Sequence, residues 1–228
     1  MDISQTTLQV SRHQDRASDD RDVIRAILKE GMIAHIGFVR DGWAVVLPFN
    51  YGFGDIGDGR GEQMIIHGST GGRAFLDAAT SEEGVPVSVC VSLNDGIVLG
   101  RSTYDIGAHF RSVVAYGYAT TVPDALRERA VEVLVDHVIP GRRSEVDKGT
   151  DKELAATALL RIPMDRAGAK VSSTKHGDKD DDGNDRHIWA GVIPLAVRAG
   201  TPIPSPETLD PDAVPESVCA FVARMNAQ

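Results

Sequence analysis

Residues 32–51 read MIAHIGFVRDGWAVVLPFNY, and their period decides the fold class. Met32, Ala34, Ile36 and Phe38 alternate onto one face, with His35 on the other. Asp41-Gly42 is a tight-turn signal between two such runs. Beyond it, Trp43, Val45, Leu47, Phe49 and Tyr51 again share one side. The stretch predicts a β-hairpin with one apolar face.

Upstream the period is helical. Ser18 and Asp19 are both suitable N-caps, Val23, Ile24, Ile27 and Leu28 form an apolar stripe, and Gly31 ends the helix. Residues 1–17 are polar and without period, which predicts a flexible arm. Downstream, a Gly/Asp loop at 52–62 leads to a short strand, QMIIH, and a short helix over Gly72–Thr80. VPVSVCVSL and GIVLGRS form a strand pair across Asn94-Asp95-Gly96. A long strand follows at about Phe110–Val122, then a helix over Pro123–Val138 with Pro at its start. Ala158–Ile162 and Ala167–Ser173 read as strands, and IWAGVIPL (188–195) follows a charged loop. Six or more antiparallel-type strands with few helices predict a mainly β protein with helical decoration, a barrel or sandwich. Residues 18–203 form one domain and 204–228 a Pro-rich tail.

A chain of 228 residues can bury a sizeable core. Its formal net charge of −9 disfavours nucleic acid and anionic membranes, though one basic pocket for a phosphate remains compatible. Cys90 and Cys219 are too isolated for a disulfide framework or zinc knuckle, and Cys90 reads as a small core residue. The first residues lack a basic stretch followed by an apolar run. No apolar stretch approaches the roughly 20 residues of a membrane span. A soluble, cytoplasmic protein is expected.

Two motifs fail on context. Gly52, Gly54 and Gly57 match G-x-G-x-x-G after a strand, but a loop continues where a dinucleotide site needs a helix N-terminus. A hairpin loop is the better reading. Asp178, Asp180, Asp182 and Gly183 copy the first half of a calcium loop, but Trp189 stands where the bidentate Glu belongs. A solvated acidic loop is expected, and no metal site. The histidines show no zinc pairing, and no serine sits in a nucleophile elbow.

The informative segment is His67-Gly68-Ser69-Thr70-Gly71-Gly72-Arg73. It runs from a strand end into a helix start. Glycines allow close backbone approach, Ser69 and Thr70 offer hydroxyls, and the helix start offers N–H groups. Arg73 adds a fork-shaped cation suited to phosphate. The same residues would also serve as a capped helix with an exposed arginine, and spacing does not separate the two.

The order of motifs resembles the pyridoxamine 5′-phosphate oxidase-like split-barrel superfamily, in its flavin-nucleotide-binding, nitroimidazole-reductase-like branch. The residues that carry the resemblance are Glu30-Gly31 before MIAHIGFVRDG, VVLPFNYGFGD (45–55), IIHGSTGGR (65–73) and DGIVLGRS (95–102). HFRSVVAYGYA (109–119), HVIPGR (137–142), KVSS (170–173) and IWAGVIPL follow in order. The resemblance implies an FMN-binding split β-barrel, usually a homodimer with flavin sites at the subunit interface. It implies that Leu47, Pro48, Phe49 and Asn50 line the flavin ring. It places His67, Ser69 and Arg73 along the ribityl chain and phosphate, with Arg111, Ser112 and Trp189 as further contacts.

The function expected is an FMN-dependent oxidoreductase that reduces or oxidises a small molecule, with NAD(P)H as electron donor. The flavin would carry the chemistry, so no protein acid or base is demanded. Two alternatives remain open. One is haem binding or degradation on the same scaffold, with His35, His67 or His109 as iron ligand. The other is a non-catalytic flavin store.

Overall fold

The computed structural model describes residues 14–172 and 185–227. The calcium-like residues Asp178, Asp180, Asp182 and Gly183 lie outside the described residues.

Nine strands are described: β1 (Ala17–Ser18), β2 (Ile33–Arg40), β3 (Trp43–Asp55), β4 (Glu62–Ser69), β5 (Val85–Leu99), β6 (Gly107–Thr121), β7 (Thr157–Pro163), β8 (Ala167–Ser172) and β9 (Gly191–Pro194). Five α-helices accompany them: α1 (Arg21–Glu30), α2 (Arg73–Thr80), α3 (Arg127–Val138), α4 (Asp151–Ala156) and α5 (Glu216–Asn226). Every strand pairing is antiparallel.

The sheet closes on itself. The ring runs β6–β5–β2–β3–β4–β7 and returns to β6. One edge of β6 is shared: Phe110–Ala115 pair with β8, whereas Thr120 and Thr121 pair with β7. That fork is the split in the split β-barrel, the fold expected from the sequence. β9 adds to the far edge of β5.

The hairpin forms as read, with Asp41 and Gly42 both at positive φ in its turn. Asp20 rather than Ser18 or Asp19 caps α1, its side chain accepting from the Asp22 N–H. The predicted strand pair across Asn94-Asp95-Gly96 is instead one strand: β5 runs through with a bulge between Asn94 and Gly96. Asn-Asp-Gly chemistry serves a bulge as readily as a turn. Cys90 departs from the core reading as well. The odd-numbered valines Val87, Val89 and Val91 are buried, so Cys90 points to the opposite face and is half-buried. Within the span read as a tail, Glu216–Asn226 form α5.

There are two cores. The larger fills the barrel, where Ala34, Ile36, Tyr51, Met64, Ile66 and Val89 meet under α1 and α2. The smaller lies outside the ring, where α3 packs Ala130, Val133 and Leu134 onto Ile65 and Leu159. β4 divides them, because Met64 and Ile66 point inward and Ile65 outward. No helix among the described residues is long and apolar enough to cross a membrane.

Candidate functional site

The site begins with how closely α3 can approach the barrel. A Cβ on Gly52 would stand 2.7 Å from both the Leu134 Cα and the Val133 carbonyl oxygen. One on Gly54 would meet Val133 Cγ1 at 3.2 Å. These two glycines therefore admit a helix backbone, which explains the first half of the glycine motif. Gly57, at φ 83°, turns the chain beyond β3.

Above that contact α3 departs from the barrel wall, and a cavity of about 850 Å³ opens. Leu134, Val138 and Ile139 form its helical wall, and Val146, Leu154 and Leu159 close the other sides. The chain leaves α3 through Gly141 at φ 83°, makes a short turn at Arg142–Ser144, and enters α4. Thr150 and Glu153 cap α4 reciprocally. This excursion brings Arg142, Arg143 and Lys148 to the lining, which Arg127 at the start of α3 also reaches, beside the carboxylates Asp124, Glu128, Asp147 and Glu153.

Most of those cations are engaged. Arg127 donates to the Leu154 and Thr157 carbonyls, both at 2.7 Å. Arg142 pairs with Glu145 at 3.2 Å, and Lys148 with Glu128 at 2.9 Å. Arg143 acts electrostatically on Glu128, and its Nε is buried without a hydrogen-bond partner. A buried guanidinium N–H without an acceptor is costly, and an anionic ligand group would satisfy it.

Two sequence-predicted residues line the cavity, Asn50 and His67. Asn50 Nδ2 lies 3.4 Å from the Met32 carbonyl, at the point where β3 exchanges β2 for β4 as its partner. His67, near the end of β4, shares the outward parity of Ile65 and is exposed. Its ring makes no hydrogen bond among the described residues.

The segment from Ser69 to Arg73 follows directly. Gly71 N–H donates to Ser69 Oγ at 3.2 Å, and Gly72 N–H to the Ser69 carbonyl at 2.8 Å. Gly72 is the N-cap of α2 and brings no side-chain cap, so the helix start keeps donors for another acceptor. Arg73 is exposed and paired with Asp77 at 3.0 Å. Leu47, Pro48 and Phe49 lead to Asn50 along β3, and Leu47 and Pro48 are exposed.

The remaining expected contacts lie apart from the cavity lining. Arg111 is clamped between Glu30, at 2.5 Å, and Asp95, at 2.8 Å. Hydrogen bonds donated to both carboxylates hold its guanidinium firmly charged. It ties the end of α1 to the β5 bulge. Ser112 is half-buried on β6, opposite Ser92 and Lys170. Trp189 is 66 % exposed and packs near Gly191 at the start of β9.

His137 supports the site from behind. Its Nε2 lies 2.7 Å from the Gly31 carbonyl, and its ring centroid is 4.6 Å from that of Tyr51. Tyr51 donates from inside the barrel to the Leu28 carbonyl at 2.7 Å. Together they hold the last turn of α1. Burial pushes the His137 imidazole below its usual pKa.

The residues that sequence reading missed are Arg143 and the apolar wall of α3. The signal was present in HVIPGRR (137–143): a helix end, a Pro-Gly turn, then two adjacent arginines.

The sequence model of the family described as pyridoxamine 5′-phosphate oxidase matches residues 20–171. Among solved structures, a protein described as an FAD and haem binding protein from Mycobacterium smegmatis is 33 % identical, with a TM-score of 0.79. That alignment covers 91 % of this chain and 97 % of the other. The flavocytochrome Anf3 from Azotobacter vinelandii is 31 % identical, with a TM-score of 0.80, covering 92 % of this chain and 94 % of that one. A candidate 5-nitroimidazole antibiotic resistance protein from Bacteroides thetaiotaomicron shares the fold at 16 % identity and a TM-score of 0.51, covering 68 % of this chain and 86 % of that one. A search of curated proteins finds no match.

Proposed function

This chain belongs to the pyridoxamine 5′-phosphate oxidase family, and from that premise we propose that it is a flavin-dependent redox protein that carries haem as a second cofactor. The observation that carries the reading is the position of His67. On one side of it lies an apolar cavity of about 850 Å³ with cations in its lining. Two residues further along the chain begins the uncapped, glycine-rich entry to α2.

These are two different kinds of site. The α2 entry suits a phosphate, with backbone donors, Ser69 and Arg73 at hand once Arg73 exchanges Asp77 for the ligand. The exposed run Leu47–Asn50 offers a flat ring an apolar strand with backbone groups to read its polar edge. The α3 cavity, at a volume common for cofactor sites, suits a larger apolar group with anionic substituents. Two relatives above 30 % identity are described as an FAD and haem binding protein and a flavocytochrome, which supports assigning both groups to this chain.

The sequence favoured FMN; the relative at 33 % identity is described as binding FAD. The Ser69–Arg73 turn would hold the phosphate next to the ribityl chain in either case. When bound, the flavin and the haem would supply two-electron and one-electron chemistry. The protein would bind and orient them and admit a small-molecule substrate. A second copy of the chain would cover the exposed apolar end of the hairpin, where Val39, Trp43 and Val46 are 74 %, 77 % and 59 % exposed. The setting expected is the cytoplasm.

The test is extraction and chromatographic identification of the flavin that purifies with the protein, followed by anaerobic addition of NAD(P)H. One flavin per chain, bleached by NAD(P)H, is expected. Retained flavin that NAD(P)H leaves oxidised would support the non-catalytic store. A protein that binds neither FMN nor FAD on reconstitution would overturn the reading.

A further inference from the structure

We infer that His67 would ligate the haem iron and that Arg143 would hold a haem propionate, with the cavity lined by α3 taking the haem. The inference rests on the flavin-and-haem reading above and assigns its second cofactor to residues of this chain.

The histidines are separated by what surrounds them. His35 sits on β2 between Pro48 and Cys90, on the outer sheet face and away from the cavity lining. His109, on β6, already has an interaction partner and lies apart from the cavity lining. His137, on α3, has committed Nε2 to the Gly31 carbonyl and packs its ring against Tyr51. His67 alone of these four lines the cavity, and its ring is uncommitted among the described residues. A neutral imidazole is a common protein ligand for haem iron.

The anionic end is defined independently. A haem carries two propionates, and burying carboxylates requires charge-assisted partners. Arg143 lines the same cavity, and its buried Nε lacks an acceptor. Arg142 stands beside it and faces Glu145 across the turn, so it could share the second propionate by exchanging partners. Between these ends, Leu134, Val138, Val146 and Leu154 offer apolar walls without a competing buried carboxylate. Asp124, Glu128, Asp147 and Glu153 also line the cavity; Glu128 is held by Lys148 and Glu153 by Thr150, and Asp124 and Asp147 are exposed to solvent.

The test titrates haem into flavin-loaded protein and follows the absorption and magnetic circular dichroism spectra. Wild type is expected to take up one haem per chain with an imidazole-ligated spectrum. His67→Ala is expected to lose that signature, and added imidazole to restore it; His35→Ala is expected to leave it unchanged. Arg143→Ala should weaken haem affinity about tenfold or more, and Arg143→Lys less. A wild type that binds flavin but no haem would end the haem reading itself. A wild type that binds haem while His67→Ala keeps the wild-type spectrum would end the ligand assignment alone. Because His67 is exposed in the haem-free chain, an unchanged circular dichroism spectrum and thermal melt of haem-free His67→Ala provide the folding control.

Discussion

The two halves of β3 lie in one strand and meet opposite surroundings. From Trp43 to Asn50 the strand pairs with β2, and its outward residues Ala44, Val46, Pro48 and Asn50 are exposed. From Tyr51 onward it pairs with β4, and its outward positions are Gly52 and Gly54, pressed against α3. The inward face hardly changes: Phe49, Tyr51 and Phe53 all reach the barrel core. The difference is made outside the barrel. Where a helix backbone covers the strand the outward side chains are deleted, and where no described element covers it Ala44, Val46 and Pro48 remain apolar. The candidate site residues Asn50 and His67, which line the α3 cavity, lie near the boundary.

The comparison can be broken most severely on the covered half. Gly52→Ala places a methyl group against backbone atoms of α3 that cannot move aside. We expect a loss of about 1–3 kcal/mol, of the size that overpacking produces, measured by urea unfolding. If Gly52→Ala is as stable as wild type, α3 does not pack as closely as described. Tyr51→Phe tests the inward face. It strands the buried Leu28 carbonyl and should cost about 1 kcal/mol or somewhat more, with the largest rise in hydrogen exchange near the end of α1.

A pH series sharpens the same contact from the α3 side. His137 has a folded pKa below its unfolded value near 6.5, chiefly because burial disfavours the imidazolium. The unfolded chain therefore takes up a proton first as pH falls. The stabilisation from neutral His137 is complete above about 6.5 and is lost as pH drops through the folded value. Thermal melts of wild type and His137→Gln between neutral and mildly acidic pH should converge as pH falls. A constant gap would remove His137 from this role.

The smallest stability effect belongs to the bare half. Val46→Ser should change unfolding free energy by no more than about 0.5 kcal/mol, since the side chain is largely exposed. Its effect should appear in sedimentation, as a shift toward monomer on dilution. Unchanged association would mean that a second copy sits elsewhere.

Much of this was legible in the sequence. The hairpin was, because alternation over residues 32–51 has no helical rendering and Asp41-Gly42 fixes the turn. The β5 bulge was not: Asn94-Asp95-Gly96 has the composition of a turn, and pairing with β6 and β9 decides otherwise. His67 and Asn50 could be named in advance because their motifs are local. Arg143 could not, because its neighbours in the cavity come from segments spread over 110 residues of chain, from Asn50 to Leu159. The glycines of β3 were seen as a motif, but their cause is a helix 80 residues later.

The central claim is that β4 separates a phosphate-bearing flavin site from a haem site under α3. The measurement that reaches it most directly is the flavin and haem content of Arg73→Ala and Arg143→Ala, reconstituted side by side with wild type. The account predicts a crossed result: Arg73→Ala loses flavin and keeps haem, and Arg143→Ala loses haem and keeps flavin. Loss of the same cofactor by both variants, or full retention of both cofactors by each, would contradict it.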